Sequence, residues 1–138
     1  MKPNYYLAKT DPSDYPITRF ASEGRTVWDG VTNAQALQAI RAMRPGDRVF
    51  IYHSGGQAEV TGLARVAGNP RQDGSNARLW TVEMEFAGMV EPPVTLAEIK
   101  ASGLFADWLL VRQSRLSTMA APGSFVEWMR AIRPKAKI

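Results

Sequence analysis

The run Trp28-Asp29-Gly30-Val31-Thr32-Asn33 places an aromatic ring, a carboxylate and a glycine bend immediately before a helix-like segment. A tryptophan at the edge of an element can form one wall of a pocket. Glycine lets the backbone approach a ligand closely. Such a group suits a flat, polar ligand such as a nucleobase. The same residues also have a purely structural reading. Tryptophan is usually core, Asp-Gly is usually a turn, and Asn33 is a good helix cap. The residues alone leave both readings open.

A second cluster is Tyr52-His53-Ser54. A serine nucleophile needs its base within hydrogen-bond reach and a third group to orient that base. Neighbours on a strand point to opposite faces, so His53 and Ser54 make a weak hydrolytic centre. A strand end leading into a glycine turn is also a good place for a pocket wall. The structural alternative is a satisfied core histidine.

Composition removes most other chemistry. The chain has 138 residues and no cysteine, so disulfides, thiolate zinc sites and cysteine nucleophiles are excluded. His53 is the only histidine, which excludes a multi-histidine metal centre. No Asp-x-Asp loop argues for a carboxylate metal site, and no metal or cofactor is expected. There is no phosphate-cradling glycine loop and no Gly-x-Ser-x-Gly elbow. Binding is therefore favoured over catalysis. Lysine plus arginine number 17 against 13 acidic residues, a net charge of +4. Arginine dominates that excess, and its planar fork suits phosphate. No signal peptide or membrane-length apolar run is evident, so a soluble, cytoplasmic protein with no membrane partner is expected.

The elements that position these residues follow from pattern. Asn4 to Ala8 reads as a strand, and Ile17 to Glu23 as a short helix closed by Gly24. Thr26 to Trp28 is extended. Asn33 opens a helix with Ala36, Leu37, Ile40 and Met43 on one face, ended by Pro45-Gly46-Asp47. Arg48 to His53 is a strand buried on both faces, and Glu59 to Ala67 its hairpin partner. Residues 68–78 read as a polar, mobile loop. Leu79 to Ala87 alternates as a half-buried strand. Thr95-Leu96-Ala97-Glu98 has capping-box spacing. Leu109-Leu110-Val111 reads as a short strand, and Arg115 to Ser117 as extended. Ser124 to Glu127 reads as a second capping box, opening a helix with Phe125, Trp128, Met129 and Ile132 on its core face. The implied architecture is α+β: one domain, residues 1–138, with a curved, barrel-like, mostly antiparallel sheet flanked by short helices.

Taken in order, these motifs resemble the EVE domain, the module of the thymocyte nuclear protein family. Tyr5 to Pro12 is similar to the family's opening strand and turn. Trp28-Asp29-Gly30-Val31-Thr32-Asn33-Ala34-Gln35-Ala36 is similar to its Trp-Asp-Gly-Val-Arg-Asn-x-Gln-Ala. Arg48 to Ser54 matches the strand ending in Tyr-His-Ser, and Ser114 to Ser117 the late Arg-Leu-Ser element. Thr32 departs from the usual arginine, and the 68–78 loop is short. The resemblance implies a PUA-like β-barrel related to YTH and ASCH domains. It also implies a reader of DNA or RNA carrying a modified base, chiefly modified cytosine in DNA. Its pocket would lie between Lys9-Thr10, Trp28-Asp29, Asn33 and Tyr52-His53-Ser54. Arg71, Arg78, Arg112 and Arg115 would hold the nucleic-acid backbone. Trp28 or Tyr52 would stack the base, and Asp29 would accept from an exocyclic amine. On this reading Trp28→Ala abolishes binding and leaves the domain folded. An RNA-modifying or hydrolytic enzyme using His53 and Ser54, and a nucleoside sensor, are the alternatives.

Overall fold

Apolar residues at strand spacing build a sheet of seven strands in the computed structural model, which describes residues 2–138. In chain order the elements begin β1 (Tyr5–Thr10), α1 (Ile17–Glu23), β2 (Arg25–Trp28), α2 (Ala34–Ala42), β3 (Arg48–His53) and β4 (Glu59–Val66). They continue β5 (Arg71–Asp73), β6 (Asn76–Thr95), α3 (Leu96–Ala101), α4 (Leu109–Arg112), β7 (Thr118–Ala120) and α5 (Gly123–Ile132). The strands run in the order β2-β6-β4-β3-β1-β7, with β5 paired to the start of β6. β1 and β3 are parallel, with Leu7 opposite Phe50. The other pairings are antiparallel. The mixed α+β architecture matches the expectation.

β3 is central, and Val49, Phe50, Ile51 and Tyr52 are all buried. That explains its unbroken apolar run: both faces are covered. Ile40 of α2, Met43 just beyond its end, and Phe125 and Met129 of α5 are fully enclosed. Each such side chain contributes roughly 1.5–3 kcal/mol on burial. Asn33 caps α2, its Oδ1 accepting from the Ala36 amide at 3.0 Å. The Thr95–Glu98 capping box forms in both directions.

Four local expectations fail. Residues 68–78 are not simply loop, because Arg71–Asp73 forms β5 and pairs with β6. β6 does not stop at Ala87 but runs 20 residues to Thr95. Gly88 and the Pro92-Pro93 pair look like strand breakers, yet pairing resumes beyond them through irregular register against β4. Leu109–Val111 is one turn of helix, not a strand. It buries Leu110, while the Trp108 indole donates to the Ala120 carbonyl at 3.0 Å. Three apolar residues cannot distinguish the two periods. The second capping box is also absent. Pro122 precedes the first helical residue of α5, and no side chain caps it. β-Pairing holds the chain extended up to Ala121, whose amide donates to Tyr5 O at 2.8 Å. Ser124 is therefore already inside the helix.

Among the described residues no helix is long and apolar enough to cross a membrane.

Candidate functional site

The two ends of the strand order meet at one cleft. Edge strand β2 brings Thr26, Val27 and Trp28, and β1 brings Lys9 and Thr10. The turn after β2 adds Asp29, Gly30 and Val31. Asp14 and Tyr15 come from the loop after β1, and Ser117 from the residue before β7. The cavity is about 350 Å³, inside the rough 300–1,000 Å³ range of small-ligand sites. Gly30 makes the bend with φ of +77°, a conformation that glycine adopts without strain.

Trp28 is only 7% exposed. Tyr15 meets its ring edge-on at 6.1 Å between centroids, and Phe20 packs at 6.2 Å. It is thus a core residue with one rim turned to the cleft. Asp29 beside it is exposed. The Thr10 hydroxyl donates to Tyr15 O at 3.1 Å, fixing the loop that carries Asp14 and Tyr15. Asp11 tightens that loop by accepting from both the amide and the hydroxyl of Ser13.

Lys9 is half-buried, and burial lowers its ammonium pKa from the ordinary lysine value. Its Nζ donates to Ser114 O at 2.9 Å and lies 5.4 Å from the centre of the Tyr52 ring. An ammonium has three donors, so two remain for a ligand. The cleft therefore carries one cation, Lys9, and two carboxylates, Asp14 and Asp29. That balance disfavours a phosphate and suits a neutral ring with both donors and acceptors.

Four of the eight expected pocket residues, Lys9, Thr10, Trp28 and Asp29, come together here. The other four do not line the cleft. Tyr52 is buried beneath it and relates to it through Lys9. Asn33 caps α2 and opens on a neighbouring groove with Arg112, Gln113, Ser114, Arg115 and Leu116. Ser114 joins the two, because it holds Lys9 from the groove side. Ser54 is exposed, and its amide donates to Thr10 O at 3.0 Å. His53 lies in a different depression with Ile17, Glu59, Thr61 and Glu91. Asp14, Tyr15, Thr26 and Ser117 were not anticipated. Nothing local says that the loop after β1 folds back on β2.

His53 has a structural task. Its Nε2 accepts from the Ile17 amide at 3.0 Å, at a helix start that has no side-chain cap. Burial lowers its pKa from the ordinary value, partly offset by Glu59 and Asp11. The unfolded chain therefore binds this proton more readily than the folded one. Stability is expected to be full above pH ~6.5, the ordinary histidine value. It should fall as the pH drops below that value and level off below the lower folded pKa. Urea midpoints measured at pH 7.5, 6 and 5 check this, and His53→Gln should flatten the response over that window.

The arginines divide into two sets. Arg25 is paired with Glu83 and Glu85, Arg65 with Glu85, Arg19 with Glu23 and Arg133 with Glu98. Arg71, Arg78, Arg112 and Arg115 make no ion pair among the described residues and are exposed. Arg112 and Arg115 flank the groove beside the cleft. Arg71 and Arg78 sit on the β5–β6 hairpin and do not line the cleft, though Arg71 lines a depression that shares Val27 with it.

Comparison with known proteins places this architecture. Human thymocyte nuclear protein 1 is 32% identical over 93 residues, 55% of this chain and 41% of that protein. The chain spans about half the length of the curated relatives it matches. The solution structure of Rpa0253 from Rhodopseudomonas palustris superposes with a TM-score of 0.89 at 29% identity, covering 98% of this chain and 96% of that one. The crystal structure of human THYN1 in complex with 5-methylcytosine-containing DNA has a TM-score of 0.86 at 20% identity, covering 94% and 97%. The fold is PUA-like, as in that neighbour. The EVE domain model matches residues 4–132, nearly the whole chain, and the protein belongs to the EVE domain family.

Proposed function

We propose that this chain is a non-enzymatic nucleic-acid-binding domain. It accommodates a modified nucleobase, first of all a modified cytosine in DNA, in the cleft between Lys9, Thr10, Trp28 and Asp29. The observation that carries the reading is the convergence of an aromatic rim, a carboxylate, an ammonium and a hydroxyl in a cavity of about 350 Å³. A base taken out of a stack must be held by contacts that offset its unstacking. Asp29 accepts from the exocyclic amine, and Lys9 donates to a ring carbonyl. Arg112 and Arg115, in the adjoining groove, neutralise phosphate without reading sequence. A protein of this fold has been captured on DNA containing 5-methylcytosine, which supports the ligand class.

The hydrolytic alternative loses ground on geometry. The Nε2 of His53 already accepts a hydrogen bond from the Ile17 amide, and Ser54 does not line the depression that holds His53. A sensor of free nucleosides is distinguished by competition, since free nucleoside should displace an oligonucleotide poorly.

Asp29→Ala tests the cleft, because Asp29 is exposed and its loss should leave the melting temperature nearly unchanged. Affinity for a duplex carrying one 5-methylcytosine should fall by about 1–3 kcal/mol, roughly 5- to 150-fold. Affinity within twofold of the parent protein would remove Asp29 from the site.

A further inference from the structure

The inner face of β6 runs out of core at Trp80. Val82 and Met84 are fully covered, but Trp80 is only half-buried. What lies over its ring is a cation: the Arg41 guanidinium, at the end of α2, sits 5.0 Å from the ring centre. Arg41, Arg44, Asn69, Pro70 and Trp80 line a groove of about 370 Å³ that contains no carboxylate. Elsewhere on β6 the fold neutralises its arginines: Arg25 and Arg65 are clamped by Glu83 and Glu85 on the opposite face. Arg41 has no such partner among the described residues.

We infer that this corner is a second nucleic-acid contact, holding the strand that flanks the base in the cleft. The inference rests on the nucleic-acid reading above but uses none of the cleft's residues. The chemistry is a polyanion's: Arg41 meets phosphate, and the Arg41–Trp80 stack offers a flat surface to a base or sugar. Stacking on Trp80 orders the Arg41 fork before binding, so less side-chain freedom is lost on contact. The Arg44 guanidinium donates to Arg41 O at 2.8 Å and Met43 O at 2.7 Å, which ties down the end of the helix that presents Arg41. Spacing supports one continuous ligand. α2 has nine residues, about 14 Å at 1.5 Å per residue, and separates this corner from Asn33 beside the cleft. That is roughly four steps of a strand rising 3.4 Å each. A duplex with a base lodged in the cleft therefore reaches the corner with its neighbouring phosphates.

The test uses Arg41→Gln in the full chain. Three probes are titrated at several salt concentrations. They are a 20-base-pair duplex with one central 5-methylcytosine, the same duplex unmodified, and a trinucleotide centred on 5-methylcytosine. On both duplexes Arg41→Gln should weaken binding at least about fivefold and reduce the log–log salt slope by about one. Trinucleotide binding should be unchanged, because three nucleotides cannot span to the corner. Equal affinity and slope for Arg41→Gln and the parent protein on both duplexes overturns the inference. A lower melting temperature with unaltered binding overturns it as well, and makes Arg41 only a cover for Trp80. If Arg41→Gln weakens the duplexes while Asp29→Ala does not, the corner stands and the base cleft falls.

Discussion

Trp28→Ala is expected to lower the melting temperature by roughly 10–20 °C, a loss of about 3–5 kcal/mol. The reason is its packing. The indole is 7% exposed and wedged between Tyr15 and Phe20. Phe20 in turn meets Phe86 edge-on at 5.7 Å, so the cavity would open into a connected aromatic cluster. A domain of this size is stable by about 5–15 kcal/mol, so much of its margin would go. The expectation that Trp28→Ala leaves the fold intact is therefore replaced. Lost binding in that variant would report unfolding as much as a missing wall. Trp28→Phe separates the two effects. It keeps most of the packed volume and should melt within a few degrees of the parent protein, while the rim that faces the cleft is lost. Thermal melts alongside modified-duplex titrations of both variants decide the question. Full affinity in a folded Trp28→Phe would show that the indole rim makes no contact with the base.

Lys9→Met should do the reverse, costing binding and sparing stability. Methionine keeps an unbranched apolar stem over Tyr52, and Ser114 O is on an exposed residue where water replaces the lost donor. The cleft, however, loses its only cation and is left with Asp14 and Asp29. A hydrogen bond from a charged donor contributes about 1.5–3 kcal/mol, so affinity for the modified duplex should fall about 10- to 150-fold. The salt dependence adds a second readout. If Lys9 donates to the base, the slope should stay within a few tenths of the parent value. A slope lower by about one would mean that Lys9 holds a phosphate instead. A Lys9→Met variant with parental affinity would place the ligand outside the cleft.

Much of the fold was legible because several segments carry their instructions locally. Asn33 and the Thr95–Glu98 pair both cap helices as their side chains suggest. The apolar run of β3 announced a strand covered on both faces. The failures share a cause. Gly88 and Pro92-Pro93 lower strand propensity, but pairing with β4 continues past them, so tertiary pairing overrides the local signal. Leu109–Val111 carries too few residues to choose a period, and burial of Leu110 chose a helical turn. Residues 68–78 look like loop because a three-residue strand leaves little trace, yet β5 exists by pairing with β6.

The site follows the same division. Residue type alone marked Trp28-Asp29-Gly30 as able to hold a flat ligand, and ordered motifs linked that run to Lys9-Thr10. Sequence also excluded thiol and multi-histidine chemistry outright, because the chain has no cysteine and one histidine. What it could not set was which neighbours share a cavity. That depends on the curl of the sheet, which brings edge strand β2 round to the end of β1. The same curl buries Tyr52, turns His53 to the start of α1 and leaves Asn33 on the arginine groove. The pairing of Arg25 and Arg65 with glutamates, and of Arg41 with Trp80, likewise has no sequence signature. Residue chemistry is local and can be read from one position. Proximity is long-range and is fixed only when the strands close around the core.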